Sequence, residues 1–359
     1  MSEPAPKATA RPSPQPIKVL IVDDSALVRE LLSTLLPAEG DIQVVGTAGD
    51  PYIARQRIKD LDPDVLTLDV EMPRMDGISF LRNLMRLHPL PVVMISAHTE
   101  TGAAITLEAL ALGAVDFVAK PQQDLQGRLG EFAAEIRAKV RAAAGSPVRR
   151  LAAQGPRPLG GAPGAGLLAP RQGTGPRLIA LGASAGGTEA IGQVIAALPA
   201  GSPPVVVCQH LPALFTRLFA SRLNGLGALR AREAADDDLL EPGWVYIAPG
   251  DRHLLVRERG GTLRCRLDDG PPVNRHKPSV DVLFESLARL PDCPINAALL
   301  TGMGRDGATG LLSLRQAGAH TLAQDEASSL VWGMPGAAVK LAAAERVLPL
   351  SAVPRWLLS

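Results

Sequence analysis

Between Gly145 and Pro176 the chain loses its hydrophobic periodicity and fills with Gly, Pro and Ala, including Gly160, Gly161, Pro163 and Gly164. Too few apolar side chains recur there to offset the entropy of ordering the backbone, so the stretch reads as a mobile linker. It divides a chain of 359 residues into two segments, each near the ordinary domain size of about 100–200 residues.

On both sides of the linker, short β-branched runs alternate with amphipathic stretches. Before it come strands at Ile17 to Val22, Asp64 to Leu68, Val92 to Ile95 and Ala114 to Val118. The helices between and after them run from Ala26 to Leu36, Ile78 to Leu87, Gly102 to Leu112 and Leu129 to Ala143. After the linker the alternation resumes with strands at Leu178 to Leu181, Val205 to Cys208, Trp244 to Ala248, Ile295 to Thr301 and His320 to Ala323. Helices are expected at Thr188 to Leu198, Phe215 to Leu223, Val280 to Leu290 and Gly307 to Ala317, and a β-rich excursion at His253 to Leu267. Such alternation implies mostly parallel sheets covered by helices on both faces, two doubly wound α/β units in one chain. The expected division is a disordered tail over 1–16, a first domain over 17–143, the linker over 144–176 and a second domain over 177–359.

Composition narrows what those units do. Hydrophobic residues make up 46% and aromatic residues 3%, so the cores are aliphatic. A formal charge of +1 gives no general attraction to nucleic acid or anionic lipid. Cys208, Cys265 and Cys293 are odd in number and lack metal-ligand spacing, which excludes a disulfide scaffold and a structural zinc site. The N-terminal stretch is rich in proline without an apolar run, and no segment approaches the roughly 18 apolar residues of a spanning helix. A cytoplasmic protein without direct membrane insertion is expected.

In the first unit, strands end in Asp23 with Asp24 and in Asp69, and open parallel sheets bind ligands beyond the carboxyl ends of their strands. Three converging carboxylates suit a hard divalent cation, most simply Mg2+. Asp69 is then a nucleophile toward a phosphoryl group, with Lys120 neutralising charge on the transferred oxygens and Ser96 offering them a hydroxyl. Taken singly, Asp24 or Ser25 also reads as a helix cap and Asp69 as a loop residue. Together, Val19 to Asp24, the run Leu68 to Gly77 and the pair Lys120-Pro121 resemble the response-regulator receiver domain of two-component signalling, over Ile17 to about Ala143. The resemblance implies a flavodoxin-like doubly wound fold, phosphorylation of Asp69 by a histidine kinase, Mg2+ held by Asp23, Asp24 and Asp69, and sensing of the phosphoryl group by Ser96 and Lys120.

In the second unit, Ser184 sits in Gly-Ala-Ser-Ala-Gly between an apolar strand and a helix, the context of a nucleophile elbow. Its hydroxyl needs a base and a group that orients the base. His210 ends the next strand and Asp306 follows a later one, so both arrive at the same sheet edge. The order Ser, His, Asp differs from the Ser, Asp, His of α/β-hydrolases. Other readings stay open on the residues alone. Gly182 to Gly187 also suits a phosphate cradle, His210 a core histidine, and Asp306 turn chemistry. Gly302 to Gly307 spells GxGxxG with Asp325 and Glu326 further on, a dinucleotide fingerprint, although Asp306 would then oppose the ligand's charge.

Leu181 to Thr188, Gln209 to Pro212, Ile247 to Asp251, Asp269 to His276, Leu300 to Gly307 and Ala323 to Ser328 are similar to the chemotaxis protein-glutamate methylesterase family, from about Arg177 to the C-terminus. The resemblance implies a Ser184, His210, Asp306 triad with the backbone N–H groups of Ala185 and Met303 as oxyanion donors. It implies methyl-accepting chemotaxis receptors as substrate, a chemotaxis histidine kinase as phosphodonor, release of methanol, and accompanying glutamine deamidation. No cofactor is expected for the hydrolysis. Ala185 stands where Thr or Ser is usual, and Arg305 where Asn is common. The domain order implies that the unphosphorylated receiver docks over the serine site.

Overall fold

The structure, a computed structural model, describes residues 15–72, 76–96, 99–120, 125–148, 177–291 and 293–359. The expected tail and linker lie almost wholly outside the described residues, as do residues 73–75 and Pro121.

Five parallel strands make the first sheet: β1 (Ile17–Val22), β2 (Ile42–Ala48), β3 (Val65–Asp69), β4 (Val92–Ser96) and β5 (Asp116–Ala119), in the order β2-β1-β3-β4-β5. This is the flavodoxin-like order, and its direction of winding reverses between β1 and β3. Every residue of β3 and β4 is buried, as expected of strands covered on both faces. Around the sheet lie α1 (Ala26–Leu35), α2 (Pro51–Leu61), α3 (Gly77–Leu87), α4 (Glu100–Ala111) and α5 (Leu125–Ala144). Helix α1 is capped by Ser25, whose hydroxyl accepts from the N–H of Val28. Helix α3 begins at Asp76, which accepts from the N–H of Ser79. Its Ile78, Phe80, Leu81 and Leu84 face the core, a stripe at helical spacing in which each side chain contributes about 1.5–3 kcal/mol by burial.

The second sheet holds seven strands, all parallel: β6 (Leu178–Ala183), β7 (Val205–Gln209), β8 (Arg230–Glu233), β9 (Trp244–Ile247), β12 (Ile295–Leu299), β13 (His320–Gln324) and β14 (Arg346–Leu348). Their order is β14-β13-β12-β6-β7-β9-β8. The expected β-rich excursion is an antiparallel hairpin of β10 (His253–Arg259) and β11 (Thr262–Asp268). Flanking helices are α6 (Gly187–Ala197), α7 (Ala213–Leu223), α8 (Val280–Leu287), α9 (Ala308–Gln316), α10 (Met334–Lys340) and α11 (Val353–Leu357). The direction of winding reverses between β6 and β12.

The expected strand Ile295 to Thr301 ends two residues early. Thr301 leaves the ladder because its carbonyl accepts from Ser184 N–H at 3.0 Å and its hydroxyl donates to the Ala185 carbonyl at 2.9 Å. Helix α8 likewise stops at Leu287 rather than Leu290, capped through Ala288.

The two units share one apolar core. Leu81 and Phe117 of the first belong to the same buried cluster as Ile179 and Phe215 of the second. The rings of Phe117 and Phe215 stack with centroids 4.5 Å apart, and Arg222 of α7 donates to the Leu107 carbonyl of α4 at 3.0 Å. None of the described helices is long and apolar enough to cross a membrane.

Candidate functional site

Both clusters singled out in the sequence lie where a sheet changes its direction of winding, the place where an open parallel sheet leaves a crevice for a ligand. In the second sheet Ala183 pairs with Gln209, so Ser184 and His210 are the next residues beyond neighbouring strands. Asp306 follows β12 on the other side of β6. Three residues far apart in the chain thus share one sheet edge.

The serine turn is held by its neighbours. Ser184 donates its N–H to Thr301, and its carbonyl accepts from Gly187 N–H at 2.7 Å and from the Gln209 side-chain amide at 2.9 Å. Gly186 sits at φ 74°, and a Cβ there would lie 2.8 Å from the Cβ of Leu330, so conformation and space both require glycine. Neither Ala185 N–H nor Met303 N–H donates to an acceptor among the described residues, which leaves both donors available.

Asp306 is the electrostatic hub. Its Oδ2 is 2.8 Å from His210 Nε2 and accepts from Val280 N–H at 2.6 Å. Its Oδ1 accepts from the Ser279 hydroxyl at 2.7 Å and the Asn274 amide at 2.8 Å. Ser279 is the N-cap of α8, so the carboxylate lies at a helix N-terminus whose unpaired N–H groups favour negative charge. Burial alone would raise its pKa. The hydrogen bond and charge of His210, with Asn274 and Ser279, outweigh burial and hold the carboxyl well below the usual range. The remaining ring nitrogen of His210, Nδ1, is buried and makes no hydrogen bond. The structure thus joins His210 to Asp306 directly, while Ser184 follows the neighbouring strand β6 and makes no hydrogen bond to that nitrogen. Resting sites are often this loose and tighten around substrate.

This arrangement also bears on the phosphate-cradle and dinucleotide readings. Asp306, the acid inside GxGxxG, is 1% exposed and fully engaged, and a Cβ at Gly302 would lie 2.3 Å from Met334 Sδ. Gly302 and Gly186 admit protein neighbours rather than a pyrophosphate.

In the first unit, oxygen atoms of Asp23, Asp24 and Asp69 lie within 4.8 Å of one another. Lys120 Nζ is 2.8 Å from Asp69 and 3.1 Å from Asp23. Burial pushes the Asp69 carboxyl up to about 6; Lys120 opposes that shift and Asp23 adds to it. The Ser96 hydroxyl accepts from Thr106 at 2.7 Å and donates to the Gly102 carbonyl at 3.3 Å. An all-oxygen, carboxylate-rich set fits a hard cation such as Mg2+.

Sequence reasoning gave no role to Gln209, Asn274, His276, Ser279 or Leu330, although Ser279 at a helix start and Asn274 in a turn carry local signals. Leu330 links the two units. It covers the serine turn at Gly186 and, with Val331, packs against the buried cluster of the first unit that contains Ile95, Phe132 and Ile136.

A receiver-type sheet with an acidic pocket, joined to an α/β output unit, defines a two-part response regulator. Family models agree: residues 19–129 match the response regulator receiver domain and residues 179–357 match CheB methylesterase. A protein-glutamate methylesterase/protein-glutamine glutaminase 1 of Xanthomonas euvesicatoria pv. vesicatoria is 56% identical over 348 residues, covering 96% of this chain and 97% of that protein. The corresponding protein of Hydrogenovibrio crunogenus is 50% identical over 369 residues, covering 96% and 98%. The crystal structure of the Thermotoga maritima CheB methylesterase catalytic domain, 34% identical, covers 51% of this chain and 97% of that one with a TM-score of 0.50. The chain belongs to the protein-glutamate methylesterase/protein-glutamine glutaminase family.

Proposed function

We propose that this protein hydrolyses glutamate methyl esters on methyl-accepting chemotaxis receptors, working in the cytoplasm under control of its phosphorylated receiver. The protein is a carboxylic ester hydrolase and a protein-glutamine deamidase. The observation that carries the site assignment is the His210–Asp306 hydrogen bond of 2.8 Å at the sheet edge that also bears Ser184.

In this reading Ser184 Oγ attacks the ester carbonyl while His210 Nδ1 takes its proton and Asp306 fixes the ring through Nε2. General-base help of this kind contributes about 10²–10⁴ in rate. The negative oxygen of the tetrahedral intermediate meets the N–H groups of Ala185 and Met303, each contributing about 2.7–4 kcal/mol. Collapse returns the proton from His210 to the departing methoxide and releases methanol. A water then gives its proton to Nδ1 and attacks the acyl-enzyme, which regenerates the serine and leaves a glutamate carboxylate. A glutamine side chain follows the same course with ammonia as leaving group.

The receiver over 17–143 acts on the hydrolase over 177–359. Asp69 receives the phosphoryl group from a chemotaxis histidine kinase. When bound, Mg2+ at Asp23, Asp24 and Asp69 neutralises charge on that group. Lys120 reaches the same pocket through Asp69, and Ser96 gives up its bonds to Thr106 and Gly102 to meet the phosphoryl oxygens. Occlusion in the unphosphorylated state rests on the stack of Phe117 on Phe215 and on Leu330, which touches both the receiver core and the serine turn. A hundredfold change in open population needs about 2.7 kcal/mol, within reach of modest repacking.

Replacing Ser184 by Ala tests the assignment: methanol release from methylated receptor membranes should vanish while thermal unfolding is unchanged. Continued hydrolysis by that variant would refute it.

A further inference from the structure

The imidazole of His276 stacks on that of His210, ring centroids 3.7 Å apart and planes 10° from parallel. His276 is carried by a tight turn. Val273 and His276 exchange backbone hydrogen bonds of 3.0 and 2.8 Å across Asn274 and Arg275. Both intervening residues have positive φ, 52° and 69°, the left-handed region of a two-residue hairpin turn and uncommon for side chains larger than glycine. The turn is tied down at its tip, because the Asn274 amide donates to Asp306 at 2.8 Å and to the buried Asp281 at 2.7 Å. One small loop therefore reaches both the orienting carboxylate and the face of the ring it orients.

We propose that His276 is a positioning residue that fixes the plane of the His210 ring and so directs Nδ1 toward Ser184. The proposal rests on the reading of His210 as the base. A single hydrogen bond at Nε2 sets the position of one ring atom and leaves the imidazole free to rock about that bond. A parallel ring against its face removes that freedom, and effective proton transfer depends on such alignment. The stacked ring is uncharged near neutral pH: burial and the adjacent His210 push its pKa down to about 4, with Lys139 and Arg275 acting the same way and Asp306 opposing them. Its face thus adds no positive charge against the proton that His210 takes from the serine, and an aromatic face attracts a ring that becomes cationic. Among the described residues, the His276 side chain makes no hydrogen bond that would give it another structural task.

The test measures kcat and KM of the full chain on methylated receptor membranes with a small-molecule phosphodonor present. His276→Ala should lower kcat by about 10- to 100-fold with KM changed by less than about threefold. His276→Phe, which keeps a flat ring, should retain kcat within about threefold. Should His276→Ala fail to fold by circular dichroism, His276→Gln takes its place under the same criteria. Wild-type kcat in the ringless variant, a loss confined to KM, or an equal loss in His276→Phe overturns the proposal. Ser184→Ala run in parallel separates the two levels: hydrolysis surviving there overturns the reading of the site, whereas its loss beside a fully active His276→Ala overturns the positioning role alone.

Discussion

Phe117 of the receiver stacks on Phe215 of the hydrolase, centroids 4.5 Å apart and planes 22° from parallel. Phe117 lies within β5, two residues before its end, and Lys120, whose ammonium pairs with Asp69, directly follows that strand. The aromatic contact between domains is therefore three residues along the chain from the ion-pair partner of Asp69. If Asp69 is the phosphoacceptor proposed above, a phosphoryl group that draws on Lys120 would act on the strand carrying the contact.

Phe215→Leu should loosen the closed state. Such stacks contribute about 0.5–1.5 kcal/mol beyond area burial, equivalent to roughly a 2- to 12-fold rise in basal methanol release without phosphodonor. Rates measured with and without phosphodonor should converge in this variant.

Asp306→Asn should lower kcat by about 10³- to 10⁴-fold, because an amide no longer holds the ring in the tautomer that leaves Nδ1 free to accept a proton. Its effect on stability has a defined pH dependence. The Asp306 pKa is depressed on folding, so its stabilisation is fully present above the unfolded value, about 4. That stabilisation is lost as pH falls through the folded value, which lies lower still. The gap in unfolding free energy between wild type and Asp306→Asn should close as pH falls below about 4, as read by urea unfolding from about pH 5 downward.

How far the sequence told this story depends on burial. Strand β1 is legible to the residue, Ile17–Val22, and its aliphatic residues Val19 to Val22 are all buried. Strands β2, β8 and β14 were not singled out. Each lies at a sheet edge, and Gln43, Gly46, Arg230, Arg232 and Arg346 break the apolar pattern that periodicity needs. Ser184, His210 and Asp306 stood out because each follows a strand in a short distinctive motif. The groups that fix them did not. The Asn274 bond to Asp306, the Gln209 bond to Ser184 and the His276 stack are tertiary contacts with no local periodicity, and the Phe117–Phe215 stack joins residues of the two different units.

Removing divalent cations with a chelator should abolish stimulation by phosphodonor while leaving basal ester hydrolysis unchanged, since among the described residues the carboxylate cluster that could hold a cation lies in the receiver. Asp24→Asn should weaken Mg2+ binding in the same direction. Mg2+ titration followed by receiver thermal stability reads this directly, because a ligand that binds only the folded state raises the midpoint.

Gly302→Ala should disable the site from within. The added Cβ would lie 2.3 Å from Met334 Sδ and 2.9 Å from Ser184 Cβ. Relief of that clash displaces the serine turn, and a shift of about 1 Å costs on the order of 10²-fold in rate. Overpacking should also lower stability by about 1–3 kcal/mol. Steady-state kinetics alongside thermal unfolding distinguish the two effects.

The most direct measurement is methanol release from methylated receptor membranes by the full chain, with and without a small-molecule phosphodonor, for the wild type and for Asp69→Asn. Release by both chains, accelerated by phosphodonor only in the wild type, is the predicted result. Absence of methanol, or equal acceleration in Asp69→Asn, would contradict a serine hydrolase governed by its receiver.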